Sequence, residues 1–186
     1  MAYFFFDFRD KAKKQDIHNF LTSILIQLSA HLSLNSCREI IFHIYSTHGK
    51  GLQQPSIDDL TVCLHDMLSV AAQQPIYLII DALDECPNIS GRPTPRAELL
   101  EFVKELVGWH IPNLHICITS RPEIDIKFVL EPLAYNAVSL HDESGQKKDI
   151  SDYVNTVVNS DNMMRSWRSE DKKLVVNVLT EKADGM

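Results

Sequence analysis

Long hydrophobic runs are missing from this 186-residue chain: no stretch approaches the ~20 apolar residues of a membrane span. The opening Met1-Ala-Tyr-Phe-Phe-Phe has no basic leader and too short an apolar region for a signal peptide, so the expected compartment is cytoplasmic. Cysteine is scarce and scattered. Cys37, Cys63, Cys86 and Cys117 form no Cys-x-x-Cys pair, which reads as reduced thiols in the cytosol. The eight histidines show no metal-ligand spacing. Positive charge is also short: a formal net charge of −7 argues against a general nucleic-acid binder. Any anionic ligand must be held by local features. There is no internal repeat and no low-complexity tract.

What is present suits a globular domain. Hydrophobic residues make up 45% and charged residues 23%, and the length allows a sizeable core. The most telling stretch is Ile76-Tyr-Leu-Ile-Ile-Asp81-Ala-Leu-Asp84-Glu85. Five apolar residues without a polar break, bracketed by Pro75 and Pro87, predict a strand buried on both faces of a parallel sheet. Its carboxyl end carries Asp81, Asp84 and Glu85. In open α/β sheets that is the end where ligands bind.

The chain predicts further elements in order. Residues 3–8, Tyr-Phe-Phe-Phe-Asp-Phe, read as a strand. Asp16 caps a helix whose apolar stripe is Ile17, Phe20, Leu21, Ile24, Leu25, Leu28 and Leu32. A shorter helix is expected over 37–45, with Ile40, Ile41 and Ile44 inward, then a loop at Gly49-Lys50-Gly51. Ser56-Ile-Asp-Asp59 has capping-box spacing, with Asp in place of Glu. It opens a helix with Leu60, Leu64, Met67, Leu68 and Ala71 inward. After a breaker-rich loop, Leu99, Leu100, Val103, Leu106 and Val107 mark another helix. Leu114-His-Ile-Cys-Ile-Thr119 reads as a third strand, with Cys117 buried in it. A short helical piece follows at 124–129. Residues 135–140 read as a fourth strand ending in His141-Asp142, and two helices close the chain. This alternation predicts an α/β fold, a three-layer parallel sheet covered on both faces, with C-terminal helices. Asp7, Asp81, Thr119 with Arg121, and Asp142 then converge on one sheet edge.

Strand-end carboxylates suit magnesium and phosphate chemistry. Asp81 can hold Mg²⁺ through waters, because that ion prefers hard oxygens and keeps part of its shell. A carboxylate three or four positions on can orient or deprotonate an attacking water. Arg121, on the next strand end, can neutralise a terminal phosphate.

Leu78-Ile-Ile-Asp-Ala-Leu-Asp-Glu85 resembles the Walker B segment of NACHT-type P-loop NTPases, the STAND signalling class. Ile116-Cys-Ile-Thr-Ser-Arg-Pro122 is similar to their sensor 1 segment, and Tyr3-Phe-Phe-Phe-Asp-Phe-Arg9 to the strand after the phosphate-loop helix. The likeness is to fungal NACHT and nephrocystin-3-like amino-terminal modules, often fused to ankyrin, WD or tetratricopeptide repeats. It implies Asp81 as the Mg²⁺-associated aspartate and Asp84 and Glu85 as the catalytic acidic pair beside the attacking water. It also implies Arg121 as the terminal-phosphate sensor, with Thr119 and Ser120 shaping the strand end. The cofactors implied are Mg²⁺ and ATP or GTP. The implied activity is nucleotide-dependent switching with self-association, and the partners are repeat or effector domains, with no nucleic acid and no membrane. Residues 1–142 would be a partial NACHT core of P-loop NTPase type, and 143–186 the start of the helical region.

One departure is large. The phosphate loop, G-x-x-x-x-G-K-[ST], does not occur. Gly49-Lys50 comes nearest, but Gly51 stands at the Ser/Thr position and the segment lies between helices. The implied Walker A strand is likewise not in these residues. A chain without the loop is expected to bind nucleotide weakly or not at all and to hydrolyse none usefully. Two alternatives remain open: a non-catalytic interaction module that kept this fold, and an acidic metal-dependent nuclease using Asp7, Asp81 and Asp142.

Overall fold

The structure, a computed structural model, describes residues 1–10, 16–31, 35–89, 93–139 and 144–182. The chain falls into two compact units, Met1–Ala134 and Tyr135–Met186.

The first unit is built on three parallel strands in the order β1 (Ala2–Phe5), β2 (Ile76–Asp81), β3 (Leu114–Ile118). Ala2 pairs with Leu78 and Phe4 with Ile80, while Leu78 pairs with Ile116 and Ile80 with Ile118. Paired residues in register share a face. One face therefore carries Ala2, Phe4, Ile76, Leu78, Ile80, Leu114, Ile116 and Ile118, and it packs into the core. Because the strands are parallel, Asp81 and Thr119 leave the sheet at the same edge, where the chain after β1 also emerges.

Helices cover that face. In α1 (Ile17–His31) the residues Ile17, Phe20, Leu21, Ile24, Leu25 and Leu28 are all buried, as the spacing predicts. Asp16 caps it, accepting from the Asn19 N–H at 2.8 Å. Leu32, expected at the end of this stripe, lies outside the described residues. The rings of Phe4, Phe6, Phe20 and Phe102 meet with centroids 4.9–5.9 Å apart in edge-on pairs. Burying each such ring contributes roughly 1.5–3 kcal/mol.

The next helix, α2 (Asn35–Thr47), runs two residues further at each end than the periodicity predicts, and Ile40, Ile41 and Ile44 are its packed side. A 3₁₀ turn at Gly49–Gly51 connects it to α3 (Ile57–Ala71). The capping box forms with aspartate: Ser56 Oγ accepts from the Asp59 N–H, and Asp59 Oδ2 accepts from the Ser56 N–H. Thr94 caps α4 (Pro95–Gly108), accepting from the Ala97 N–H at 3.2 Å. The short α5 (Ile124–Leu130) buries Ile126.

Three expectations need correcting. The strand β2 is buried on one face only. On the other, Tyr77 is 50% exposed, beside Tyr3 at 53% and Phe5 at 42%. Cys117 is exposed on that same open face, because it shares the parity of His115 and Tyr77, whose rings stack at 5.0 Å. Residues 135–139 form no strand, and the sheet among the described residues has three strands. The His141 and Asp142 that would end a fourth lie outside the described residues.

The outer edge of β1 is partly capped by a side chain. Gln27 accepts from the Tyr3 N–H at 3.0 Å and donates to the Tyr3 carbonyl at 2.7 Å, doing what a neighbouring strand would do.

In the second unit, α6 (Ser144–Ser160) packs against α7 (Ser169–Lys182). Among the described residues of this unit, Val158 is buried. Met163 and Met164 lie in the connection between the two helices.

Candidate functional site

The carboxyl edge of the sheet gathers the predicted residues because β2 stops there abruptly. Asp81 is its last residue. Ala82 then takes a left-handed conformation (φ 54°, ψ 46°), which turns the chain out of the strand. A 3₁₀ turn, Leu83–Glu85, follows. Successive side chains of a 3₁₀ turn point about 120° apart. So Leu83 drops into the core as an anchor, while Asp84 and Glu85 point different ways.

Each acidic residue has its own partner. The Thr119 hydroxyl donates to Asp81 Oδ1 and accepts from the Ala82 N–H at 3.1 Å. The same threonine's backbone closes the ladder: its N–H donates to the Ile80 carbonyl at 2.9 Å, and its carbonyl accepts from the Leu83 N–H at 3.0 Å. Thr119 thus holds the β2 exit by three contacts to backbone and one to carboxylate. Asp84 turns toward the β3 exit. Its Oδ1 accepts from the Arg121 N–H at 3.0 Å, and its Oδ2 lies 3.5 Å from Arg121 Nε. In that pair the Asp84 side chain is only 12% exposed and the Arg121 side chain 75%, so the guanidinium stays accessible. Glu85 turns the other way and accepts from the Phe8 N–H at 3.1 Å, tying the turn to the chain that follows β1.

Near that contact, Arg9 and Asp7 form an ion pair at 3.0 Å. The Asp7 hydrogen bond and charge, with a smaller share from Glu85, hold the Arg9 pKa above its ordinary value. Ser120 is the exception among the six predicted residues. Its hydroxyl donates to the Arg121 carbonyl at 2.9 Å and so braces the strand exit.

Three cysteines stand apart from this chemistry. Burial pushes the Cys86 thiol up to about 12 and Cys63 up to about 11, and raises Cys37. They behave as small core hydrophobes.

A residue the motif reading did not single out lies beneath the turn. Arg96, in the first turn of α4, is buried. Its Nε donates to the Cys86 carbonyl at 2.9 Å, one Nη donates to the Asp84 carbonyl, and the other lies 3.4 Å from Asp125 Oδ2. Asn88 also donates to Asp125 Oδ2, at 3.1 Å, and accepts from the Thr94 hydroxyl at 2.8 Å.

The chemistry on offer is an exposed carboxylate with a hydroxyl beside it, and a carboxylate paired with an accessible arginine. Among the described residues no three His, Cys, Asp or Glu side chains converge as metal ligands. Asp81 as a lone exposed carboxylate fits a cation that keeps most of its waters, as Mg²⁺ does, and does not fit one that needs a protein cage. The nuclease constellation fares differently: its third acid, Asp142, lies outside the described residues. The glycine pair at Gly49–Gly51 sits between α2 and α3, not after a strand, and Gly49, Lys50 and Gly51 all have positive φ.

Residues 1–121 match the sequence profile of the family described as nephrocystin 3, N-terminal. The chain belongs to the nephrocystin 3 N-terminal family. The matched stretch runs from β1 through Arg121 and contains all six predicted site residues. Membership thus spans the described sheet and both strand exits. No curated protein and no solved structure matches the chain. Among the described residues no helix is long and apolar enough to cross a membrane.

Proposed function

We propose that the carboxyl edge of this sheet is the metal- and terminal-phosphate-facing half of a NACHT-type nucleotide switch. The observation that carries the reading is the pairing of two motifs across adjacent strand exits: Asp81 with Thr119, and Asp84 with Arg121. On this reading Mg²⁺, when bound with ATP or GTP, supplies charge neutralisation at the phosphates. Asp81, oriented by Thr119, would hold the ion through water. Arg121 offers the free side of its guanidinium to the terminal phosphate while Asp84 fixes its position. Asp84, on the Arg121 side, would be the acid nearer the terminal phosphate, while Glu85 is turned away toward the Phe8 N–H. Ser120 keeps the β3 exit in shape.

These 186 residues hold no phosphate loop, and that loop supplies most of the grip on phosphate. The chain by itself therefore binds Mg-nucleotide weakly and does not hydrolyse it at a useful rate. In a complete switch domain the same edge couples nucleotide state to self-association, in a cytoplasmic protein whose further repeat or effector domains carry the signal.

A second reading has its own support. The open sheet face presents Tyr3, Phe5 and Tyr77, and Glu85 is already engaged by the Phe8 N–H. Both features suit a non-catalytic interaction module, whose self-association would ignore nucleotide.

Titration with a fluorescent ATP analogue separates the two. The switch reading expects weak binding that needs Mg²⁺ and disappears in Asp81→Ala. Binding that is absent at millimolar nucleotide, or indifferent to Asp81→Ala, favours the interaction module. Tight micromolar binding would contradict the view that the missing loop supplies the grip.

A further inference from the structure

We infer that Arg96 is a positioning residue for the acidic turn, clamping it to α5 so that Asp84 reaches the β3 exit. A cation in the first turn of a helix faces the positive end of the helix dipole, so its placement there needs compensation from outside the helix. Here the compensation is specific. The guanidinium is buried and engages three acceptors on two other segments: the Asp84 and Cys86 carbonyls of the turn, and the Asp125 carboxylate at the start of α5. The planar five-donor fork of arginine can reach all three at once, whereas a lysine ammonium is a point donor on a flexible stem.

The two strand exits are therefore joined twice, in opposite senses. Asp84 of the β2 exit meets Arg121 of the β3 exit, and Arg96, following the β2 exit, meets Asp125, following the β3 exit. Arg96 sits on the carbonyl of the same residue whose carboxylate accepts from the Arg121 N–H. Moving the guanidinium moves Asp84 at its backbone. Asn88 adds a third strut by donating to the same Asp125 oxygen. Nothing in this clamp touches a ligand; it acts through Asp84 and Arg121. It bears on the proposed switch only because Asp84 and Arg121 belong to that site.

Amide NMR and hydrogen exchange on the whole chain, without nucleotide, test it. Arg96→Lys keeps the charge and loses the fork; Asp125→Asn keeps the fork and an acceptor oxygen but removes the partner's charge. The expected result for Arg96→Lys is a shifted Arg121 amide that exchanges about tenfold faster, the scale of one charge-assisted hydrogen bond. The Thr119 amide, bonded to Ile80 in the sheet, should keep its protection. Asp125→Asn should move the Arg121 amide in the same direction by less. An unchanged Arg121 amide in Arg96→Lys overturns the inference. So does an equal loss of protection at Thr119 and Arg121, since Arg96 would then serve the fold as a whole. Because nucleotide is absent, either outcome is independent of whether the switch reading holds.

Discussion

Replacing Thr119 by valine tests the organisation of the β2 exit with almost no change in shape. The hydroxyl makes two contacts, a donation to Asp81 and an acceptance from the Ala82 N–H at 3.1 Å. Both lie at an exposed site, so water competes for the freed groups and the charged partner earns no large premium. At about 0.5–1 kcal/mol for each bond, Thr119→Val should destabilise the first unit by about 1–2 kcal/mol. Thr119→Ser keeps the oxygen and should cost less than about 0.5 kcal/mol. The assay is urea unfolding followed by Trp109 fluorescence in a Trp167→Phe background, so that the first unit alone is read. With a slope of about 2 kcal/mol/M, the midpoint should fall by roughly 0.5–1 M and the slope should hold. A valine variant as stable as the parent would refute the reasoning. So would a serine variant as weak as valine, because the oxygen would then not be what matters.

Two further outcomes follow from the electrostatics. Iodoacetamide at neutral pH should label Cys117 first in the folded chain, since Cys37, Cys63 and Cys86 are buried with raised pKa values; mass spectrometry showing early labelling at Cys86 would contradict this. The Asp59 pKa is held below its ordinary value by the Ser56 hydroxyl, then the Ser56 N–H, with His48 adding to it. A carboxylate depressed on folding stabilises the fold above its unfolded pKa and loses that contribution as pH falls through the folded value. Asp59→Asn should therefore be less stable than the parent at neutral pH, with the gap closing in acid below about pH 4, as chemical denaturation across pH would show.

Much of the fold was legible because its signals are local. The α1 stripe and the Asp59 capping box depend on spacing along one element, and both formed as the spacing predicts. The meeting of Asp81 with Thr119 was legible too, since parallel strands bring their carboxyl ends to one edge. Burial of the second sheet face was not. An apolar run such as that of β2 shows what a strand can bury, not what is there to bury it. The parity of Tyr77, His115 and Cys117 held a clue, because a histidine within the strand marks the solvent side. Residues 135–139 misled for a related reason: a strand exists only through its ladder, and Tyr135 and Val138 stand out in solvent. Arg96 was hidden in a stretch read for its prolines. Its one local signal, a cation at the positive end of a helix, is visible only once the start of α4 is fixed.

The measurement that bears most directly on the central claim is an amide NMR titration of the whole chain with Mg-ATP to millimolar concentration. The account predicts small, Mg²⁺-dependent shifts confined to Asp81, Ala82, Thr119 and Arg121, and their loss in Asp81→Ala. Shifts centred on Gly49–Gly51, or none at the strand exits, would contradict it.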